Sequence, residues 1–376
     1  MFLDQSQRGR LDRLNGAIEK VNATHPAAPA RAMVMNDSPQ LYNPHVFVRG
    51  NPGRLGPAVP RRFLRLLSGR DRKPFQNGSG RLELARAIAD ANNPLTARVL
   101  VNRVWQWHLG KALVTTPSDF GMRSDPPSHP ELLDYLASEF IASGWSLKSL
   151  HRRIMLSSTY QQRSEPRPAE LDRDPENRLV WRFNRQRLDF EAMRDSLLTV
   201  SGALNPTIGG PSTPITEPPF SARRTVYGFI DRQNLDGLYR TFDFAVPDAT
   251  SPRRYVTTVP QQALFLMNSP FLHEQARRLA AVVENDGRAD SSGTSAAPPA
   301  DRAEGVRKLY LRALGRPPEA DELALGIAFV QRQTAANAAE FSKWKRLPAG
   351  NGRPLLAPWD QLAQVLLLTN EFMFVD

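Results

Sequence analysis

The sequence predicts a mainly α protein, and three observations carry the prediction. Apolar residues recur every three to four positions through many windows, cap and stop residues bracket those windows, and alternating strand patterns are confined to two short stretches. Thirty-two prolines and 23 glycines in 376 residues modify that picture. Proline breaks helix interiors, so long connections must separate the helices. The expected architecture is an irregular helical domain with long Pro/Gly-rich crossings, a minor β element and a C-terminal helical lobe.

Leu11, Leu14, Ile18 and Val21 lie at helical spacing and predict a first amphipathic helix. Residues 22–78, with HPAAPA and RGNPGRLGPAVP, read as an extended crossing in which Val46, Phe47 and Val48 form a short strand. RLELARAIAD opens the strongest helical region. Asn93-Pro94 then predicts a helix to about Leu109, with asparagine as N-cap and proline in the first turn. Ser128-His129-Pro130-Glu131 has the spacing of a capping box and announces a helix burying Leu132, Leu133, Leu136, Phe140 and Ile141. Gly144 stops it, and Ser146 caps a partner running to about Tyr160. RLDFEAMRDSLLTVSGAL predicts a helix with Phe190, Met193, Leu197 and Leu204 inward. Residues 205–222 are irregular, and Arg224–Ile230 is rich enough in β-branched and aromatic residues to predict a strand. Helices are expected from Pro260, from Pro270 to about Val283, from Arg302 to Leu314, from Glu319 to about Thr334 and from Trp359 to about Leu368.

These elements divide the chain into four parts: an N-terminal helix with an extended Pro/Gly-rich segment (1–78), a main helical domain (79–283), a flexible linker (284–301) and a C-terminal helical lobe (302–376). The linker is placed at ENDGRADSSGTSAAPPAD, whose small, polar and proline-rich composition does not build a core.

Zero cysteines excludes disulfides, thiolate metal sites, cysteine nucleophiles and covalent haem attachment by this chain. No cofactor and no metal are expected. The formal charge of +11 suits a polyanion, but the basic pairs Arg61-Arg62, Arg152-Arg153, Arg223-Arg224, Arg253-Arg254 and Arg277-Arg278 are scattered rather than gathered in one arm. Nucleic acid is therefore not the expected partner. The opening MFLDQSQRGR has no apolar run after a basic segment, and no stretch reaches the roughly 18 apolar residues of a membrane helix. Neither a signal peptide nor a membrane span is expected.

The richest polar stretch, Arg223 to Gln262, supplies binding candidates in Arg223, Arg224, Arg253, Arg254, Gln261 and Gln262. Asp231, Asp243 and Asp248 are the carboxylates in it that an acid and base pair on a glycoside would need. The plainer reading is arginine–carboxylate scaffolding of irregular backbone. Arg187, Glu191, Arg194 and Asp195 fall at i, i+4, i+7 and i+8, which predicts an ion-pair network on one helix face. Glu191 and Asp195 are its catalytic candidates, because neighbouring desolvated charges tune protonation. Trp105 and Trp107 beside Arg98, Asn102 and Arg103 allow either core packing or an aromatic and basic surface. The six histidines form no local metal signature, and neither H-E-x-x-H, G-x-S-x-G nor a P-loop occurs.

NPLTARVLVNRVWQWHLGKALVTTPSDFG and PPSHPELLDYLASEFIASGWSLKSLHRRIMLSSTYQQ resemble the family called domain of unknown function 1553. The resemblance continues through RLDFEAMRDSLLTVSGAL, RRTVYGFIDRQNL, PRRYVTTVPQQALFLMNSPF, LYLRALGRPPEADE and TNEFMFVD, and so spans nearly everything from HVFVRGNP onward. It implies a planctomycete-type, exported or periplasmic setting beside a companion domain or a cytochrome c-containing protein. Ser251 departs from the cysteine expected in relatives before the paired arginines. The missing catalytic signatures, together with the neighbours the resemblance implies, lead to the expectation of a noncatalytic binding or scaffold module of an extracytoplasmic bacterial assembly. A polysaccharide-acting hydrolase using the carboxylates of 231–248 and polyanion binding are the alternatives.

Overall fold

The computed structural model describes residues 4–25, 34–69, 72–285, 301–344 and 356–375. Residues 286–300, most of the expected linker, lie outside them. The described residues are mainly helical, with two small two-stranded sheets. Contacts divide the chain into Met1–Thr96 and Ala97–Asp376.

In the first unit, α1 (Gln5–Thr24) begins at Asp4, whose carboxylate accepts from Gln7 N while the Gln7 side chain accepts from Asp4 N. This reciprocal box satisfies two orphan donors of the first turn. The stripe of Leu11, Leu14, Ile18 and Val21 is exposed. β1 (His45–Phe47) pairs antiparallel with β2 (Leu55–Ala58). The strand expected through Val48 ends one residue early, because a 3-10 turn follows with Arg49 at φ 54°. Two helices, α2 (Arg65–Ser68) and α3 (Arg81–Ile88), complete the unit.

α4 (Thr96–Leu109) starts two residues later than Asn93-Pro94 predicts. Asn93 closes a local turn instead: its amide donates to Ile88 O and Thr96 Oγ1 while its oxygen accepts from Leu95 N. α5 (Pro130–Ala142) also corrects its expected cap. His129 is the N-cap without a side-chain cap bond, and Ser128 Oγ is engaged by His129 Nδ1. Pro130, pre-set for a first turn, carries the start. Ser146 caps α6 (Leu147–Met155) as predicted, but the helix ends five residues before Tyr160.

One core joins α4, α5 and α6 through Val101, Val104, Leu133, Leu136, Phe140, Leu150 and Ile154. The fully buried Asn102 is satisfied there: its amide donates to Val114 O at 3.0 Å and its oxygen accepts from Val114 N at 2.8 Å. A buried amide left unpaired would cost about 1–3 kcal/mol, so these two bonds fix the strap after α4.

The chain then passes through α7 (Pro168–Arg173) and β3 (Gln186–Arg187) into α8 (Phe190–Val200), capped by Asp189. Residues 224–230 are not a strand. Thr225–Tyr227 form a 3-10 turn, and Thr225 N donates to the Asp195 carboxylate rather than to a neighbouring strand. α9 (Gly237–Thr241), α10 (Pro260–Asn268), α11 (Pro270–Asn285), α12 (Arg302–Leu314), α13 (Ala320–Trp344), α14 (Pro358–Leu367) and α15 (Asn370–Met373) follow, and α13 extends ten residues past its predicted end. α11 packs on α14, α12 and α8, so Leu272 and Leu279 share one core with Leu197, Leu309, Leu362 and Leu367. The 302–376 segment thus builds its core jointly with α8 and α11. β4 (Phe374–Val375) returns antiparallel to β3 and ties the chain end to the entrance of α8.

A basic groove between α4 and the loop after α9

The groove originates at the C-terminal end of α4. An α-helix leaves its last carbonyls without internal partners. Gly110, at φ 77°, turns the chain out of the helix, and two amides answer the orphan carbonyls: Asn184 Nδ2 donates to Leu109 O at 2.8 Å and Gln186 Nε2 to His108 O at 2.9 Å. A Cβ on Gly110 would press the Gln186 side chain at 3.0 Å, so glycine also permits this approach. These bonds bring β3, and Arg187 with it, to the end of α4.

Arg187 then anchors the loop that follows α9. Its Nη1 donates to Thr257 O and Gln262 Oε1, and its Nη2 reaches Asp243 Oδ2 at 3.3 Å. Asp243 sits in the left-handed region at φ 59°, which aspartate tolerates better than most residues. Its carboxylate accepts from Thr257 N at 2.9 Å and Thr257 Oγ1 at 2.6 Å. The two charged side chains are only 16% and 15% exposed, so water competes little with the latch. A second tie is bidentate: Arg254 donates from Nη1 and Nη2 to the two Glu191 oxygens, both at 2.6 Å, with its guanidinium over Phe244. The Glu191 hydrogen bonds hold the Arg254 guanidinium pKa above its ordinary value.

Between α4 and the anchored loop lies a groove of about 680 Å³ lined by Arg103, Trp107, Arg187, Asp189, Arg253 and Arg254, among others. Trp107 is 71% exposed while Trp105 is in the core, so the aromatic pair divides between the two readings sequence allows. Positions i and i+2 lie on different helix faces. Arg103 Nε is buried with no hydrogen-bond partner among the described residues. Among the described residues the Arg253 side chain stacks on Tyr255, at 5.3 Å, and meets no carboxylate. Among the described residues, Asp189 is the one carboxylate of the lining. The arrangement presents unneutralised guanidinium groups and one aromatic face, which receive anionic groups and flat or apolar groups respectively. Ser251 also lines the groove, its hydroxyl donating to Arg253 O at 2.7 Å.

The remaining candidates lie elsewhere. Arg223 donates to the carbonyls of Thr207, Gly209 and Pro211 and stacks on Tyr227, tying the irregular 205–222 segment. Arg224 reaches Asp195 at 3.4 Å, and Asp195 accepts from Thr225 N and Oγ1 at 2.7 Å. Asp231 accepts from Gln233 N in an exposed turn, Asp248 meets Arg232 at 3.7 Å on the surface, and Gln261 is exposed on α10. The ion-pair face expected on α8 is corrected: Arg187 precedes the helix in β3, and Glu191, Arg194 and Asp195 each bond to other segments.

A histidine pair escaped sequence reasoning. His108 Nε2 and His151 Nδ1 are 2.7 Å apart, joining α4 to α6, although the residues are 43 positions apart. Burial first, and His151 second, pushes the His108 pKa down. Helical phase offered the only signal, because both positions border apolar stripes. No group of three or more His, Asp or Glu side chains converges as metal ligands among the described residues, and no described helix is long and apolar enough to cross a membrane.

Fold and site together define a mainly α protein whose irregular crossings are tied by arginines around a basic groove. Residues 80–330 match the family of proteins of unknown function DUF1553, and the chain belongs to that family. No curated protein and no solved structure matches it.

Proposed function

We propose that the chain is a noncatalytic binding module whose groove docks an acidic segment of a partner protein. The observation that carries this reading is the lining itself, where Arg103 and Arg253 have no carboxylate partner among the described residues and Trp107 stands exposed beside them. Desolvated arginine and an aromatic anchor are the side chains that concentrate binding energy at protein interfaces. The resemblance supplies the setting: an extracytoplasmic bacterial assembly with a companion-domain or cytochrome c-containing protein as partner.

The state of the carboxylates supports binding over glycan hydrolysis. An acid and base pair must face a shared cleft. Glu191, Asp195 and Asp243 are committed to arginines, threonines and amides, and none of the five candidate carboxylates lines the groove. Titrating an acidic, tryptophan-containing peptide, polygalacturonate and duplex DNA against the protein tests the proposal. The peptide is expected to bind most tightly and to lose about tenfold in affinity, roughly 1.4 kcal/mol, on Arg253→Glu. Equal binding of all three, with a steep salt dependence, would support general polyanion binding instead. Turnover of a glycan abolished by Asp243→Asn would support the hydrolase.

A further inference from the structure

A second concavity, of about 190 Å³, lies beside α8 and shares none of its lining with the groove. Its walls include the rings of Phe190, Phe220, Phe265 and Phe271 together with Leu197, and its single charged residue is Arg194. Arg194 is 2% exposed. Its Nη1 donates to Arg223 O at 3.0 Å and Thr225 Oγ1 at 3.2 Å, and its Nη2 donates to Ser221 O. Its guanidinium carbon lies 5.0 Å from the centre of the Phe271 ring.

Those contacts leave the cation unfinished. Among the described residues, three of the five guanidinium N–H groups have partners, and the Nε–H is buried without one. The adjacent Asp195 gives one oxygen to Thr225 and the other to Arg224, so Arg194 receives carbonyls and a hydroxyl where a buried charge ordinarily receives a carboxylate. Nε and Nη2 form the side-on edge of arginine, which donates two parallel bonds to a carboxylate. Burial accordingly depresses the Arg194 pKa.

The size of the cavity limits the occupant. A dry cavity of about 150 Å³ lined by Leu, Ile and Phe accommodates benzene. At about 190 Å³, this one has room for a ring and one small substituent. We infer that the cavity is a binding site for a small aryl carboxylate, its ring among the phenylalanines and its carboxylate on Arg194.

Thermal-shift and NMR titrations of the whole protein with benzoate, benzamide and toluene test this. The inference predicts saturable benzoate binding at least tenfold tighter than that of benzamide, which has the same shape and no charge, and weaker or absent binding of toluene. Leu266→Phe, which fills the cavity from its half-buried wall, should weaken benzoate at least tenfold. Benzoate binding that is absent, no tighter than benzamide, or unchanged in Leu266→Phe overturns the inference. Arg194→Met, if it folds, should lose benzoate while binding toluene no more weakly than the wild type; if it does not fold, the wild-type ligand series decides alone. Because acidic-peptide binding at the groove uses other residues, neither result determines the other.

Discussion

The latch around Arg187 and the open lining of the groove, with Arg103 on α4 and Arg253 in the loop after α9, use the same chemistry for opposite ends. At the latch, every guanidinium contact is answered: Arg187 meets Asp243, Gln262 and Thr257 O, and Arg254 meets both oxygens of Glu191. On the wall, Arg103 and Arg253 meet no carboxylate among the described residues. The latch residues close long irregular crossings whose backbone would otherwise wander, whereas the wall residues project from segments already fixed by others. An arginine serves structure where it ends a crossing and remains available for a ligand where the crossing is tied by something else.

Breaking the latch should give the largest effect. Asp243→Ala leaves Arg187 nearly buried without its carboxylate and frees Thr257, and a loss of about 3 kcal/mol is expected in urea unfolding. Leu367→Ala provides a scale for that number, because removing a fully buried leucine from the second core costs about 2–5 kcal/mol. If Asp243→Ala costs less than about 0.5 kcal/mol, the latch is not structural.

The histidine pair sharpens the comparison at the other face of α4. The folded-state pKa of His108 lies below its ordinary value of 6.5. The unfolded chain therefore binds the proton more readily, and this contribution to stability is present above pH 6.5 and lost as pH falls below it. His108→Gln should flatten the dependence of the urea midpoint on pH below about 6.5. A variant as acid-sensitive as the parent would contradict the assignment.

A smaller effect is expected at Arg316, which joins Glu322 and Glu371 on the surface of the second core. Hydrogen bonding from Arg316 lowers the Glu322 pKa from 4.5 to about 2. Its stabilisation is present above pH 4.5 and fades as pH falls toward 2. Exposure makes the effect modest and salt-sensitive. Glu322→Gln should remove the corresponding acid dependence at low salt and change little at 1 M salt.

The helices were legible because burial follows a 3.6-residue period: Leu133, Leu136 and Phe140 face inward as their spacing required. Local competition defeated the finer expectations. Ser128 bonds to a histidine instead of a backbone donor, Asn93 folds onto Ile88 O, and Asp195 takes the amide that a strand at 224–230 would have shared. Within the site, Arg253, Arg254 and Gln262 stood out as a polar stretch and Trp107 as an aromatic one. Their relation did not, because it passes through Asn184 and Gln186 capping the end of α4 and through a pairing of Arg187 with Asp243 across 56 residues. Periodicity encodes faces of one element, while such long-range ties depend on where several irregular segments cross.

The most direct test of the division between latch and groove pairs binding with stability in two exposed-wall variants, Arg253→Glu and Trp107→Ala. Acidic-peptide affinity should fall about tenfold in each while the urea midpoint moves by no more than about 0.5 kcal/mol of stability. Undiminished affinity in both, or a loss of affinity that only follows a loss of stability, would contradict it.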